Sequence, residues 1–357
     1  MSATDAAMAK PKYDPNFTDS VIAATGPNAN PRLKQIMPSL VRHLHDFARE
    51  VDLTVSEWMA GVEMTRQNLF FPQINEAGRM STDRRNETQL LCDVLGLESL
   101  VDEITSKLLL RRGNSSSSNN HPSAPAPTPS AILGPFYRAD APILPNGSSI
   151  VSAAAPWSAS SSAALLARVS GRVLSASPSP PFSSSCPTAP ATPIAGATVD
   201  VWLAGPNGLY EQQDAGQPDM NLRGRFRTDA RGRYALRCLR PTAYPIPDDG
   251  PAGRLLALLD RHPFRPAHIH FIVSAPGRRT LVTQVFDAED ERVMVGEGGG
   301  EGGGDAVFAV KRELIVRFRE RDGEKKDGED GDGDGEEEGE GQKVRWELEY
   351  DFYLGEE

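Results

Sequence analysis

The chain has 357 residues, a formal net charge of −11 and three cysteines. That length is ample for a large core and allows two or three domains by size. No apolar run approaches the roughly 20 residues of a membrane span, and the N-terminus lacks the charged-then-apolar pattern of a signal peptide. Between Arg321 and Gln342 eleven acids stand against three bases, so this tract carries −8 and leaves −3 for everything else. So balanced a remainder gives no support to a nucleic-acid surface, and three cysteines without paired spacing, Cys92, Cys186 and Cys238, fit a reducing, cytoplasmic compartment.

Residues 1–30 are polar and Ala-rich, a lead-in. Leu33, Ile36, Met37, Leu40, Val41, Leu44, Phe47, Ala48 and Val51 then recur at three- and four-residue steps, which predicts an amphipathic helix that Pro38 kinks or opens. Thr54-Val-Ser-Glu57 has capping-box spacing and starts a second helix through Trp58, Val62 and Met64. A third begins near Thr82 and carries Leu90, Leu91, Val94, Leu95 and Leu97. Residues 31–111 thus read as a helical domain.

From 112 to 130 the chain is Ser, Asn and Pro, a linker that cannot bury enough apolar surface to order itself. Residues 131–357 change to alternating periodicity. Strands are predicted at Leu166–Leu174, Thr198–Leu203, Gly224–Thr228, Tyr234–Leu239, Ala267–Val273, Leu281–Phe286 and Val344–Leu354, with an Asp229-Ala-Arg-Gly232 turn joining two of them. Four low-complexity stretches, 152–164, 175–193, 296–304 and 322–342, read as loop insertions, which cost only a logarithmic closure entropy. The fold class is therefore α+β, an N-terminal helical domain packed on an antiparallel β-sandwich with long low-complexity insertions.

Chemistry concentrates in Arg265-Pro-Ala-His268-Ile-His270. Side chains at i and i+2 share a face on a strand but diverge by about 200° on a helix. Pro266 disfavours helix, and Phe271-Ile272-Val273 favours strand, so His268 and His270 converge and can share an ion. His43 and His45 have the same spacing inside a helix and do not. Two neutral imidazoles make half of a metal site. No cysteine stands near to complete it; upstream are Tyr210 and Tyr244, whose phenols suit a hard trivalent iron.

The ordered blocks Asn221-Leu-Arg-Gly-Arg-Phe-Arg-Thr-Asp, Tyr244-Pro-Ile-Pro, Arg265-Pro-Ala-His-Ile-His-Phe, Val273-Ser-Ala-Pro-Gly and Thr280-Leu-Val-Thr-Gln284 resemble the intradiol ring-cleavage dioxygenases. The resemblance implies a non-haem Fe(III) enzyme on a transthyretin-like sandwich, acting on an aromatic diol and O2 in aromatic catabolism. It implies Tyr210, Tyr244, His268 and His270 as iron ligands, with Tyr244 ligand and base in turn. Arg265 matches the family's arginine beside the reacting ring carbon, the bland alternative being a structural ion pair; Gln284 matches a glutamine nearby. Leu90 and Asp93, with Ile132, Leu133, Gly134, Pro135 and Phe136, match the substrate pocket of hydroxyquinol dioxygenases, whose third hydroxyl a carboxylate could accept. Asp93 could instead only cap or pair within its helix. Tyr137 is placed near the site without a ligand role. The expected reaction opens benzene-1,2,4-triol to 3-hydroxy-cis,cis-muconate, which tautomerises to maleylacetate. Catechol cleavage to cis,cis-muconate is the alternative, and an iron-free transthyretin-like binding module is the alternative of another class. The resemblance further implies a homodimer through the N-terminal helices, with lipid between them in some members.

Overall fold

The computed structural model describes residues 18–19, 22, 31–51, 71–82, 84–99, 101–103, 105–106, 125–157, 165–176, 191–258, 261–294, 304–321 and 344–357. The helix expected from Thr54 and most of the low-complexity stretches lie outside these residues, as do the side chains of Leu33, Met37, Leu44 and Ala48. The chain forms two compact units, 1–72 and 73–357.

In the first unit α1 spans Pro31–Glu50. Its first turn is set by Pro31, whose fixed φ suits that position, and Pro38 stands inside the helix rather than at its start. Ile36, Leu40, Phe47 and Val51 fall on one stripe and are between 41% and 56% exposed. His43 and His45 are helical, as their context predicts; His45 Nδ1 meets Thr18 Oγ1 at 3.0 Å.

The second unit opens with α2 (Phe71–Met80), which periodicity did not announce, and α3 (Glu87–Val94). The predicted start near Thr82 is too early. Asn86 caps α3 by accepting the Gln89 amide, and the preceding residues form a loop. Leu90, Leu91, Asp93 and Val94 of α3 are buried. A further helix, α4 (Pro251–Leu258), packs against α3 and begins on a proline, the residue type best tolerated in a first turn.

The strands are β1 (Leu166–Ser175), β2 (Thr198–Trp202), β3 (Arg223–Arg227), β4 (Arg233–Leu239), β5 (Tyr244–Pro245), β6 (Phe264–Arg265), β7 (His268–Ser274), β8 (Leu281–Asp287), β9 (Ile315–Val316), β10 (Arg319–Glu320), β11 (Trp346–Glu349) and β12 (Phe352–Leu354). One sheet runs β10-β11-β1-β12 with β4 also on β1; the other runs β3-β2-β7-β8-β9. Both are mixed rather than antiparallel, because β1 pairs in parallel with β11 and β12, and β8 with β9. The predicted single strand 344–354 is interrupted at Tyr350-Asp351, where Tyr234 Oη donates to the Tyr350 carbonyl and Asp351 takes the backbone N–H and guanidinium of Arg172. The Asp229–Gly232 turn does join β3 to β4, but it carries the chain from one sheet to the other.

One apolar cluster draws on both sheets, with Val169, Tyr234, Leu236 and Phe352 from the first and Val199, Val201, Phe271 and Val285 from the second. Each such side chain contributes about 1.5–3 kcal/mol of burial. On β7 this core takes Ile269, Phe271 and Val273, so the alternate positions His268 and His270 point to the opposite face. That alternation positions the site.

Candidate functional site

His268 and His270 sit 2% exposed with their Nε2 atoms 3.1 Å apart. Strand pairing sets Trp202 of β2 opposite His270 and Gln284 of β8 on its other side. The Trp202 and His270 rings stack at 4.7 Å and 9°, which fixes the imidazole plane. His268 Nδ1 lies 2.6 Å from the Pro266 carbonyl. A carbonyl only accepts, so Nδ1 carries the proton and Nε2 presents its lone pair. His270 Nδ1 is buried with no partner. Burial above all, then the Arg265 charge for His268 and the neighbouring imidazole for His270, hold both rings well below the usual histidine range and hence neutral.

Tyr210 follows a loop after β2, and Tyr244 begins β5. Their hydroxyls meet at 3.1 Å, with the rings edge-on at 5.6 Å. Tyr244 lies 5.4 Å, ring to ring, from His268, and Tyr210 lies 6.4 Å from His270. The four residues singled out by motif and chemistry thus form one buried group. Two glycines in left-handed backbone let loops press onto it: a Cβ at Gly134 would stand 3.1 Å from the His270 ring, and one at Gly208 would stand 3.0 Å from Tyr244 Cβ. Phe136 stacks on Tyr210 at 4.7 Å.

Burial raises both phenols, Tyr210 well above its ordinary value with Tyr244 adding to the effect. Left to themselves they stay protonated; a concentrated positive charge between them would reverse that preference. Among the described residues no three His, Cys, Asp or Glu side chains gather around a common point. An ion at the imidazole pair would therefore take phenol oxygens as its other protein donors, a hard set that suits ferric iron better than zinc.

Arg265 faces Tyr244 across the β5–β6 ribbon. Its Nη1 is 2.9 Å from His268 Nε2, and its Nη2 donates to Gln284 Oε1 at 2.8 Å. Gln284 in turn donates to the Ile132 carbonyl at 2.7 Å, linking the arginine to the 132–136 loop. Asp305, absent from the sequence reading, pairs with Arg265 at 3.1 Å. Burial works against the guanidinium charge, but Asp305 together with Tyr244 and Tyr210 outweighs it and keeps the group protonated.

Leu90 and Asp93 project from α3, and Asn86 donates its backbone N–H to the Pro135 carbonyl, so helix and 132–136 loop meet. Ile132 and Leu90 share one apolar cluster; Phe136, with Leu133 packed on it, belongs to that of Tyr210 and Tyr244. Asp93 is 1% exposed, and no N–H or hydroxyl reaches either of its oxygens. Burial first, then the neighbouring Glu98 carboxyl with which it can share a proton, pushes Asp93 up to about 10. It does not cap its helix, a task Asn86 performs. Glu98, also unanticipated, accepts from the Leu133 amide at 2.9 Å and from Gln89.

Comparison with known proteins accords with this geometry. A family profile described as "Catechol dioxygenase N terminus" matches residues 30–108, and one described as "Dioxygenase" matches 187–354. A catechol 1,2-dioxygenase of Candida albicans is 43% identical over 96% of this chain and 92% of its own length. A hydroxyquinol 1,2-dioxygenase of a Rhizobium species is 36% identical, covering 94% and 93%. The solved hydroxyquinol 1,2-dioxygenase of Pseudomonas putida is 34% identical, covers 95% of this chain and 97% of its own, and superposes with a TM-score of 0.67. The chain belongs to the intradiol ring-cleavage dioxygenases. It is an oxidoreductase of aromatic catabolism, and the relatives' names span both catechol and hydroxyquinol 1,2-dioxygenases. These matches set aside the reading as a non-enzymatic binding module.

Proposed function

We propose that this enzyme opens benzene-1,2,4-triol with O2, between the two adjacent hydroxyls, to 3-hydroxy-cis,cis-muconate and thence maleylacetate. Tyr210, Tyr244, His268 and His270 would hold Fe(III), which would take the diol oxygens as anions and make the adjoining ring carbon reactive toward dioxygen. Tyr244 Oη, a phenolate while it holds the ion, would receive one diol proton as substrate enters and the other would leave to solvent, a role suited to a buried phenol that otherwise prefers its protonated form. Arg265, charged and held on two sides, stabilises negative charge as it develops at the ring. Gln284 positions Arg265 and the 132–136 loop.

The observation that carries the choice of triol is Asp93. A buried carboxyl that no N–H or hydroxyl reaches, with only another acid beside it, costs about 1–3 kcal/mol, and a third ring hydroxyl would satisfy it, donating to one oxygen or accepting the acid proton. Catechol would leave it with the Glu98 carboxyl alone. Leu90, Ile132, Leu133, Gly134, Pro135 and Phe136 form the apolar wall beside it. The catechol reading draws its support from the Candida albicans relative. Initial rates of iron-loaded protein on the triol and on catechol decide between them: the triol should show the larger kcat/KM, and a clear preference for catechol overturns the assignment.

The core shared by the two sheets supports a transthyretin-like sandwich. The stripe Ile36, Leu40, Phe47 and Val51 supports a homodimer through the N-terminal helices, with room for lipid between apolar faces.

A further inference from the structure

We propose that Asp305 is a positioning residue of the ring-opening reaction, holding the Arg265 guanidinium in one orientation and tying it to the helix that carries Leu90 and Asp93. The assignment rests on the role proposed above for Arg265. Asp305 Oδ1 accepts from Arg265 Nε at 3.1 Å and Oδ2 from Nη2 at 3.2 Å, a two-point fork that leaves Nη1 as the end facing the phenol–imidazole group. Both side chains are at most 3% exposed, so water does not loosen the pair.

The carboxylate is itself fixed by its own turn. Oδ1 accepts the Val307 amide and Oδ2 the Ala309 amide, each at 3.2 Å. That turn is bolted to its surroundings at three points: the Ala306 amide donates to the Phe264 carbonyl at 3.0 Å, Ser99 Oγ donates to the Val307 carbonyl at 2.9 Å, and Arg261 spans the Val94 and Ala306 carbonyls at 2.6 and 2.8 Å. Val94 adjoins Asp93. A continuous polar path therefore runs from the guanidinium, through Asp305, to the wall that meets the substrate. Without the carboxylate, Nε and one Nη2 donor of a buried cation lose their acceptor, and the fork is free to swing toward the phenols.

Asp305→Asn keeps the shape of the side chain and one acceptor but removes its charge. The expected result is a fall in kcat of about 10- to 100-fold with KM for the diol changed by less than about threefold, since orientation rather than binding is lost. Iron content and the visible absorption of the ferric protein should stay at wild-type levels, and their loss would mark a merely structural residue and overturn the proposal. In an Arg265→Gln background the same substitution should lower kcat no further, because Asp305 acts through the group already removed. Additive losses would overturn it. Should Asp305→Asn not fold, Arg265→Gln and the double variant carry no unpaired buried cation and the comparison between them still decides. Wild-type protein is assayed first with iron. Absence of diol turnover there defeats the proposed function, whereas turnover with additive losses defeats only Asp305.

Discussion

The phenol–imidazole group and the wall that faces it are held in opposite ways. His268 and His270 sit on the central strand of a sheet, His270 paired on both sides and His268 on the β8 side, with one ring stacked on Trp202 and the other fixed through the Pro266 carbonyl. The wall is assembled from the α3 helix and the 132–136 loop, joined by single contacts such as Asn86 to Pro135 and Glu98 to Leu133. The first region uses backbone pairing to converge donors; the second leaves a buried acid with only another acid beside it. On the proposed reading, reaction type lies in the sheet and selectivity in the helix, and substitutions in the two regions should fail differently.

The largest effect is expected at the sheet. Tyr210→Phe removes one of two phenol oxygens and should cut turnover by about 10³-fold or more while changing the visible spectrum of the iron-loaded protein; near-normal turnover would break the contrast. Arg265→Gln comes next, with a loss of about 10²–10³ in kcat and an intact iron content by metal analysis. In the wall, Asp93→Leu should lower the triol-to-catechol ratio of kcat/KM by about 10- to 100-fold and leave catechol turnover nearly unchanged, as competition assays would report.

The same variant should gain stability. Unfolded, an aspartate titrates near 3.9; folded, Asp93 does so at about 10. Below the lower value both states hold the proton and the group adds no pH-dependent cost. Through the interval only the folded state keeps it, so its presence lowers stability progressively as pH rises toward 10. Denaturation should show Asp93→Leu more stable by about 1–3 kcal/mol at pH 6, and by more than that at pH 9. The smallest effect is expected where wall and sheet touch: Gly134→Ala, strained at φ +78° and pressed on His270, should cost about 1–2 kcal/mol with a modest loss of turnover.

Much of the site was legible because strand chemistry is local. His-Ile-His followed by Phe-Ile-Val specifies both the strand and the shared face, and the alternation persists in β7. Asp305 was not legible, since it follows a glycine run that reads as insertion, and only three-dimensional folding returns it to Arg265. Trp202 lay inside a predicted strand with nothing to mark it as the ring under His270. Helix α4 was missed because Pro and Gly occupy its opening turn, where a proline is permitted but periodicity is weak. The mixed sheets could not be foreseen either: parallel pairing of β1 with β11 and β12 joins segments that no local pattern connects.

That last pairing governs the order in which the molecule can assemble. Arg172 and Asp351, which bridge β1 to the break between β11 and β12, are 179 residues apart in the chain. During synthesis β1 is finished long before either neighbour on that flank exists, and its unpaired edge waits while the histidine-bearing strand β7 and its neighbour β8 are made and paired. Contacts of such long range form slowly and late. The sheet that carries the histidines can therefore take shape on a nascent chain whose other sheet is still open, and the sheltering of that edge becomes a matter for the translating cell.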